Sequence, residues 1–332
     1  MHKFLLYFAA GILVGIFGVI LWDKSHQNLL ENRGLILREE GKYKFINPIL
    51  ACEIASKEAF SELGSMKNAV ADLVEKEISS GKAENISVYF RALNTGRWFG
   101  VNEEDKYAPA SLEKALIMIA YLKASESDTA LLRKAISAEN LLKYTSNDPV
   151  QNFEKGKSYT IMELVKKMVM DSSNPALNAL LDNIDNPTLV VLKDIYSDLN
   201  LPPSSDLDLS KLDVMSPKVY SLIFRVLYGA TYLNRENSER ALEILSSASF
   251  KDGLVAGLPE NMTVAHKFGI RNVVDEKSKQ NKWELHDCGV VYYPNHPYLL
   301  CVMTKDDEIT DLGSTISKIS SLVHQEAEKF YK

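Results

Sequence analysis

The spacing of apolar positions divides the chain into an N-terminal span, a mixed segment and a long domain. Phe4 to Trp22 is 19 residues without a charge. As a helix it is about 28 Å long, the thickness of a hydrocarbon core. Lys3 precedes it, Asp23 and Lys24 follow, and it ends Val-Ile-Leu-Trp with no small-x-small cleavage site. It therefore reads as a transmembrane signal anchor after a cytoplasmic tail of residues 1–3, with a cleaved signal peptide as the alternative. Lys24, Arg33 and Arg38 lie beyond it, so charge does not fix its orientation; the short tail and large C-terminal domain favour export of that domain. Residues 23–63 mix charge with the apolar island Phe45–Ile54 and read as a membrane-proximal stalk, the island either docking on the domain or forming a collar.

From residue 64 to 332 the pattern is that of one folded domain. Met66, Val70, Leu73, Val74 and Ile78 share one helical face. Ile86–Leu93, the turn Asn94-Thr-Gly96 and Arg97–Val101 predict a hairpin. A wholly apolar helical run follows Ser111. Thr160-Ile-Met-Glu163 is a capping box opening a helix with Leu164, Val165, Met168 and Val169 inward. Asn174-Pro175 breaks that helix and starts another. Lys218–Tyr232 and Ser238–Leu245 read as helices, Asp287–Tyr293 and Tyr298–Met303 as a second hairpin, and Leu312–Phe330 as a final helix. Strands at both ends with helices between them predict an α+β fold: one antiparallel sheet from both ends of the domain and an inserted all-helical lobe, with a cleft between.

Composition removes several function classes. With 38 basic and 44 acidic residues the net charge is −6, and there is no long basic run, which argues against nucleic acid as a partner. The six histidines show neither His-Glu-x-x-His nor company from a Cys-x-x-Cys pair, so no metal site and no cofactor are expected. Cys52 lies far beyond the apolar span. Cys288 and Cys301 fall in strand-like runs that are candidate neighbours; buried thiols and a disulfide both fit them.

The chemistry gathers at Ser111-Leu-Glu-Lys114. A serine hydroxyl is a poor nucleophile until its proton is taken, and residues three apart on a helix share a face. Among Leu116, Ile117 and Ile119 a lysine is desolvated, which favours its neutral, basic form. Two further segments follow in order: Ser172-Ser-Asn174 and His266-Lys-Phe-Gly-Ile270. In order and spacing, over about residues 66–330, these resemble the Ser-x-x-Lys, Ser-x-Asn and Lys-Thr/Ser-Gly elements of class A β-lactamases and penicillin-binding proteins.

The resemblance implies a catalytic domain over 64–332, of the same two-lobed fold, forming an acyl-Ser111 intermediate with β-lactams or D-Ala-D-Ala peptides. It implies Ser111 as nucleophile, Lys114 as base, Ser172 as proton relay and Lys267 as a positive charge beside it. It further implies that Asn174, Gly269 and Ile270 bind substrate, Ile270 through its backbone N–H as an oxyanion donor. The chain departs from the pattern at Ser173, where class A enzymes carry Asp, and at Phe268, where a hydroxyl for the substrate carboxylate is missing; Arg271 is the candidate substitute. No glutamate occurs between Glu163 and Glu236, so the loop base for deacylation is absent, with Asp206, Asp208 and Asp213 the only carboxylates in the matching stretch. General-base help is worth about 10²–10⁴-fold. The expectation is a membrane-anchored DD-peptidase or penicillin-binding enzyme meeting peptidoglycan stem peptides outside the cell membrane. A β-lactamase with a substitute base and a non-catalytic sensor on the same fold are the alternatives.

Overall fold

The computed structural model describes residues 38, 41–49, 63–143, 153–201, 215–274 and 280–331. The predicted span 4–22, Cys52, and the three aspartates at 206, 208 and 213 lie outside the described residues. Among the described residues no helix is long and apolar enough to cross a membrane.

Five strands form one antiparallel sheet: β1 (Asn85–Ala92), β2 (Trp98–Val101), β5 (Val264–Val274), β6 (Asn281–Val291) and β7 (Tyr298–Asp306), in the order β2-β1-β7-β6-β5. The first two come from the start of the domain and the last three from its end, as the α+β reading requires. Each strand alternates its side chains between two cores. Val88, Phe90, Leu300 and Val302 pack under helix α1 (Gly64–Ser79) and the C-terminal helix α9 (Leu312–Tyr331). Tyr89, Leu299, Cys301 and Met303 face the helical lobe. Both faces are covered, which is why β1 and β7 read as near-continuous apolar runs rather than as alternating ones.

The lobe between β2 and β5 is built around α2 (Lys114–Ala124). A helix apolar on every side has to be buried, and in α2 only Lys123 reaches the surface. Around it lie α3 (Ala138–Leu142), the short pair β3 (Ala135–Ser137) and β4 (Ser158–Thr160), α4 (Ile161–Met170), α5 (Asn174–Asp182), α6 (Asn186–Asp198), α7 (Pro217–Tyr228) and α8 (Arg235–Ser246). The capping box is present: Glu163 N–H donates to Thr160 Oγ1 at 3.2 Å and Thr160 N–H to Glu163 Oε2 at 2.7 Å. Helix α6 has no counterpart in the periodicity analysis; its signals are the Asp185 cap, accepting from Thr188 N–H at 3.0 Å, and Pro187 in the first turn.

The described part of the segment expected as a stalk docks on this body. Phe45 and Ile46 are buried in the lobe-side core. The Glu239 carboxylate on α8 accepts from three consecutive backbone N–H groups, those of Lys44, Phe45 and Ile46, at 2.8–3.1 Å. Asn47 N–H donates to Tyr228 O and Tyr292 Oη–H to Phe45 O, both at 2.9 Å. Cys288 and Cys301 stand directly opposite on β6 and β7 and form a disulfide, which decides between the two readings of that pair.

Candidate active site

Ser111 sits in a single 3₁₀ turn, Ala110–Glu113, that runs into α2. The preceding residue, Ala110, has φ +50°, a left-handed conformation that costs a non-glycine residue free energy and persists only where neighbours enforce it. The enforcement comes from buried acid and imidazole groups on β6. Ala108 N–H donates to Glu284 Oε2 at 3.0 Å, and His286 Nε2–H donates to Ala108 O at 3.1 Å. Both backbone polar groups of Ala108, three residues before the serine, are thereby fixed. Glu284 is also ion-paired with Lys305 at 2.9 Å. Burial alone would push its carboxyl pKa up, but the hydrogen bond and charge of His286, with the Lys305 charge, hold it below the ordinary carboxylate value. Nothing in the periodicity singled out Glu284 or His286; their signal is the alternation of Lys282, Glu284 and His286 with Trp283 and Leu285 along β6.

Lys114 lies at the first turn of α2, 2% exposed, with its side-chain nitrogen at the centre of the cluster. Its Nζ has four oxygens within hydrogen-bond distance: Ser111 Oγ at 3.1 Å, Ser172 Oγ at 3.1 Å, Ser172 O at 2.5 Å and Asn174 Oδ1 at 2.8 Å. The i, i+3 geometry expected of Ser111 and Lys114 is present. The second group comes from the corner between α4 and α5. Ser172 there takes φ +56°, a second strained non-glycine residue beside the cluster. Ser173 is fully buried and caps α5, accepting from Ala176 N–H at 3.1 Å. Its hydroxyl thus satisfies the helix start, and no acid is needed at this position.

The third group is on β5, the edge strand. Lys267 is fully buried, and its Nζ donates to Ser172 Oγ at 3.1 Å and to Phe268 O at 2.9 Å. Burial, and then the Lys114 charge, push its pKa well below the ordinary lysine value, against a smaller upward pull from Asp287. Gly269 is where β5 passes the Ser111 turn: a Cβ there would lie 3.2 Å from Pro109 O and 3.3 Å from Ala110 Cβ. That close approach sets β5 against the turn that carries Ser111. Arg271 stands four residues from Lys267, about 13 Å along the strand, and forms no ion pair among the described residues. The fold therefore gathers Ser111, Lys114, Ser172, Asn174, Lys267 and Gly269, and leaves Arg271 at the rim.

Three further features escaped the sequence. Asp287, fully buried, accepts from His266 Nδ1–H at 2.7 Å and from Leu254 N–H at 2.9 Å. Phe250 stacks on Phe268 with centroids 4.2 Å apart. Tyr107, four residues before Ser111, exchanges backbone hydrogen bonds with Met215, so the chain re-enters next to the site directly after residues 202–214. Among the described residues no cluster of three potential metal ligands forms.

The structure is similar to PBP-A, including a variant captured as an acyl-enzyme with penicillin G: TM-score 0.63, 22% identity, covering 80% of this chain and 97% of that one. It is similar as well to a β-lactamase from Streptosporangium roseum, at TM-score 0.65 and 20% identity over 80% of this chain and 99% of that one. A class A β-lactamase from Mycobacterium abscessus gives TM-score 0.64 and 20% identity over 78% and 99%. At these identities the likeness establishes the fold. No curated protein matches the sequence. The model of the family described as "Beta-lactamase enzyme family" matches residues 66–327. That span contains every group gathered around Lys114, and the chain belongs to the beta-lactamase enzyme family.

Proposed function

We propose that this protein is a membrane-anchored serine hydrolase that works through an acyl-Ser111 intermediate, of the penicillin-binding, DD-peptidase kind. The observation that carries the reading is the placement of one buried amine, Lys114 Nζ, 3.1 Å from both Ser111 Oγ and Ser172 Oγ. Ser111 Oγ adds to the acyl carbon and gives its proton to neutral Lys114. The proton then passes through Ser172 to the leaving nitrogen, with Lys267 holding the Ser172 hydroxyl from the other side. Backbone N–H groups of Ser111 and Ile270 are the oxyanion donors in this scheme. Asn174 aligns the acyl donor and orients Lys114.

Slow deacylation follows from the absence of glutamate between Glu163 and Glu236. This favours cleavage of peptidoglycan stem-peptide amides over rapid β-lactam turnover, with a β-lactam acting as a trap. The apolar span 4–22 is the anchor, and the Cys288–Cys301 disulfide fits an oxidising extracytoplasmic compartment.

The test is intact-mass spectrometry of the full chain with a fluorophosphonate, a penicillin and a chromogenic cephalosporin. Fluorophosphonate adds to the wild type and not to Ser111→Ala, a penicillin adduct accumulates, and the cephalosporin is not turned over many times. No fluorophosphonate adduct refutes the nucleophile. Many cephalosporin turnovers per chain refute the peptidase reading and make the protein a β-lactamase with a substitute base.

A further inference from the structure

The docked segment closes a second cleft. Residues 41–47, the end of α7 and the turn between β6 and β7 enclose a cavity of about 380 Å³, within the about 300–1,000 Å³ usual for small-molecule sites. Five of its 12 lining residues are aromatic, Tyr43, Phe45, Tyr228, Tyr292 and Tyr293, against 9% along the chain, so the lining is no average surface. Asn47 and Asn295 add side-chain amides. The walls are held in place. On one side the Glu239 carboxylate accepts from the backbone N–H groups of Lys44, Phe45 and Ile46 at 2.8–3.1 Å. On the other, Leu93 N–H donates to Pro297 O at 3.0 Å and Asn94 Nδ2–H to Asn295 O at 2.8 Å. Tyr292 joins the two sides: its hydroxyl donates to Phe45 O at 2.9 Å, and its ring meets Phe45 edge-on with centroids 5.6 Å apart. Tyr43 and Tyr293 stay partly exposed, which leaves ring surface for a ligand. The exposed Lys42 and Lys44 lie over Tyr43 and Phe45 at 5.4 and 4.8 Å, and flexible stems let them swing aside. Tyr292 comes four residues after Cys288, the register partner of Lys267, about 13 Å along the strand. The cleft shares no residue with the Ser111 cluster among the described residues.

Ring faces rimmed by phenol hydroxyls and amides suit a ligand of the same make-up. A wholly apolar ligand would take those polar groups out of water and give them no partner. A pyranose ring with equatorial substituents carries C–H groups on its faces and hydroxyls around its edge. Its faces lie on tyrosine rings, and its edge hydrogen-bonds to amides and phenols. We propose that this cleft is a saccharide site, for a chain of such pyranose rings. The site goes beyond the acyl-Ser111 reading and stands whichever acyl donor Ser111 takes. Only the identity of the chain rests on that reading, under which it is the glycan strand that carries the stem peptides.

Calorimetric titration of the full chain with the linear tetramer of N-acetylglucosamine tests the proposal. The chain is held in phosphatidylcholine nanodiscs, so that no sugar-headed detergent competes. Sorbitol, which has the hydroxyls without the ring, is the control. The tetramer is expected to bind with a Kd of about 1 mM or tighter, and sorbitol not to bind. Tyr43→Ala and Tyr293→Ala should each weaken binding about fivefold or more, as loss of an aromatic anchor does. Tyr43→Phe keeps the ring and should keep the affinity. All three variants should react with fluorophosphonate at Ser111 as fast as the wild type, which shows that the fold is intact. A chain already labelled at Ser111 should bind the tetramer with unchanged Kd. No tetramer binding at about tenfold the expected Kd overturns the proposal, and so does equal binding of sorbitol. Affinity unchanged in both alanine variants overturns it as well. Loss of binding on Ser111 labelling also overturns it, since the sugar then lies in the Ser111 cleft. A chain that binds the tetramer through Tyr43 and Tyr293 but takes no fluorophosphonate keeps the saccharide site and refutes the Ser111 reading instead.

Discussion

Replacing Glu284 by glutamine separates the charge of this residue from its shape. The wild-type carboxylate accepts from Ala108 N–H at 3.0 Å and pairs with Lys305 at 2.9 Å, and Lys305 is itself only 7% exposed. Glutamine still fits and still accepts from Ala108, but Lys305 loses a buried counter-charge. Breaking a buried ion pair from one side costs about 3–5 kcal/mol. For a domain of this size each kcal/mol moves Tm by about 2–4 °C, so the variant should melt about 6–20 °C lower at pH 7. Acylation of Ser111 should slow by tenfold or more, because small displacements of a reacting group carry costs of up to about 10²-fold. The pH dependence has a definite sign. The folded-state pKa of Glu284 is depressed, so its stabilisation is complete above the unfolded value of about 4.3 and is lost as pH falls through the folded value. The gap in Tm between wild type and variant must therefore close in acid. Thermal denaturation from pH 7 to about pH 3, with fluorophosphonate labelling rates at pH 7, checks both effects. A variant melting within about 3 °C of wild type at pH 7, or a gap that persists in acid, refutes the reasoning.

Three other outcomes follow from the same geometry. Burial and the Lys114 charge depress the Lys267 pKa, so below about pH 10.4 the unfolded chain holds a proton that the folded state resists, and the penalty is largest at low pH. Lys267→Met should thus raise Tm most at low pH while abolishing Ser111 acylation; a lower Tm at pH 6 contradicts this. Glu239→Ala removes the acceptor of three backbone N–H groups and should cost about 1.5–3 kcal/mol in urea denaturation. Limited proteolysis should then cut within 41–49 in the variant alone, and equal protection of both proteins counts against the docked segment. Cys301→Ala opens a disulfide between residues 13 apart and should cost about 3 kcal/mol by chain entropy; unchanged denaturation with and without reductant would mean that the bond does not form.

Much of the architecture was written in local patterns. The faces of α1 and α4, the Thr160–Glu163 cap and the Pro175 start are period and cap signals, fixed by side chains within one or two turns of each other. The apolar run after Ser111 announced the central helix because a helix without a polar face has nowhere to lie but inside. Ser111 and Lys114 were legible as a pair for the same reason, their contact being three residues long. Helix α6 was not legible, because its apolar positions are few and its cap, Asp185, looks like any loop aspartate.

What sequence alone determined was therefore the order of most elements, the inward faces of several and the three motif segments of the candidate site. Only the tertiary structure decided how those segments meet. Ser172 reaches Lys114 across 58 residues and Lys267 reaches Ser172 across 95, through lobe packing and sheet register that no local pattern encodes. The same register places Asp287 opposite Phe268 and beside His266, Glu284 beneath Ala108, and Cys288 against Cys301. Periodicity reports which side of a strand is apolar. Which residue stands opposite is set by the global pairing of strands, and with it the charge, strain and shape of the site.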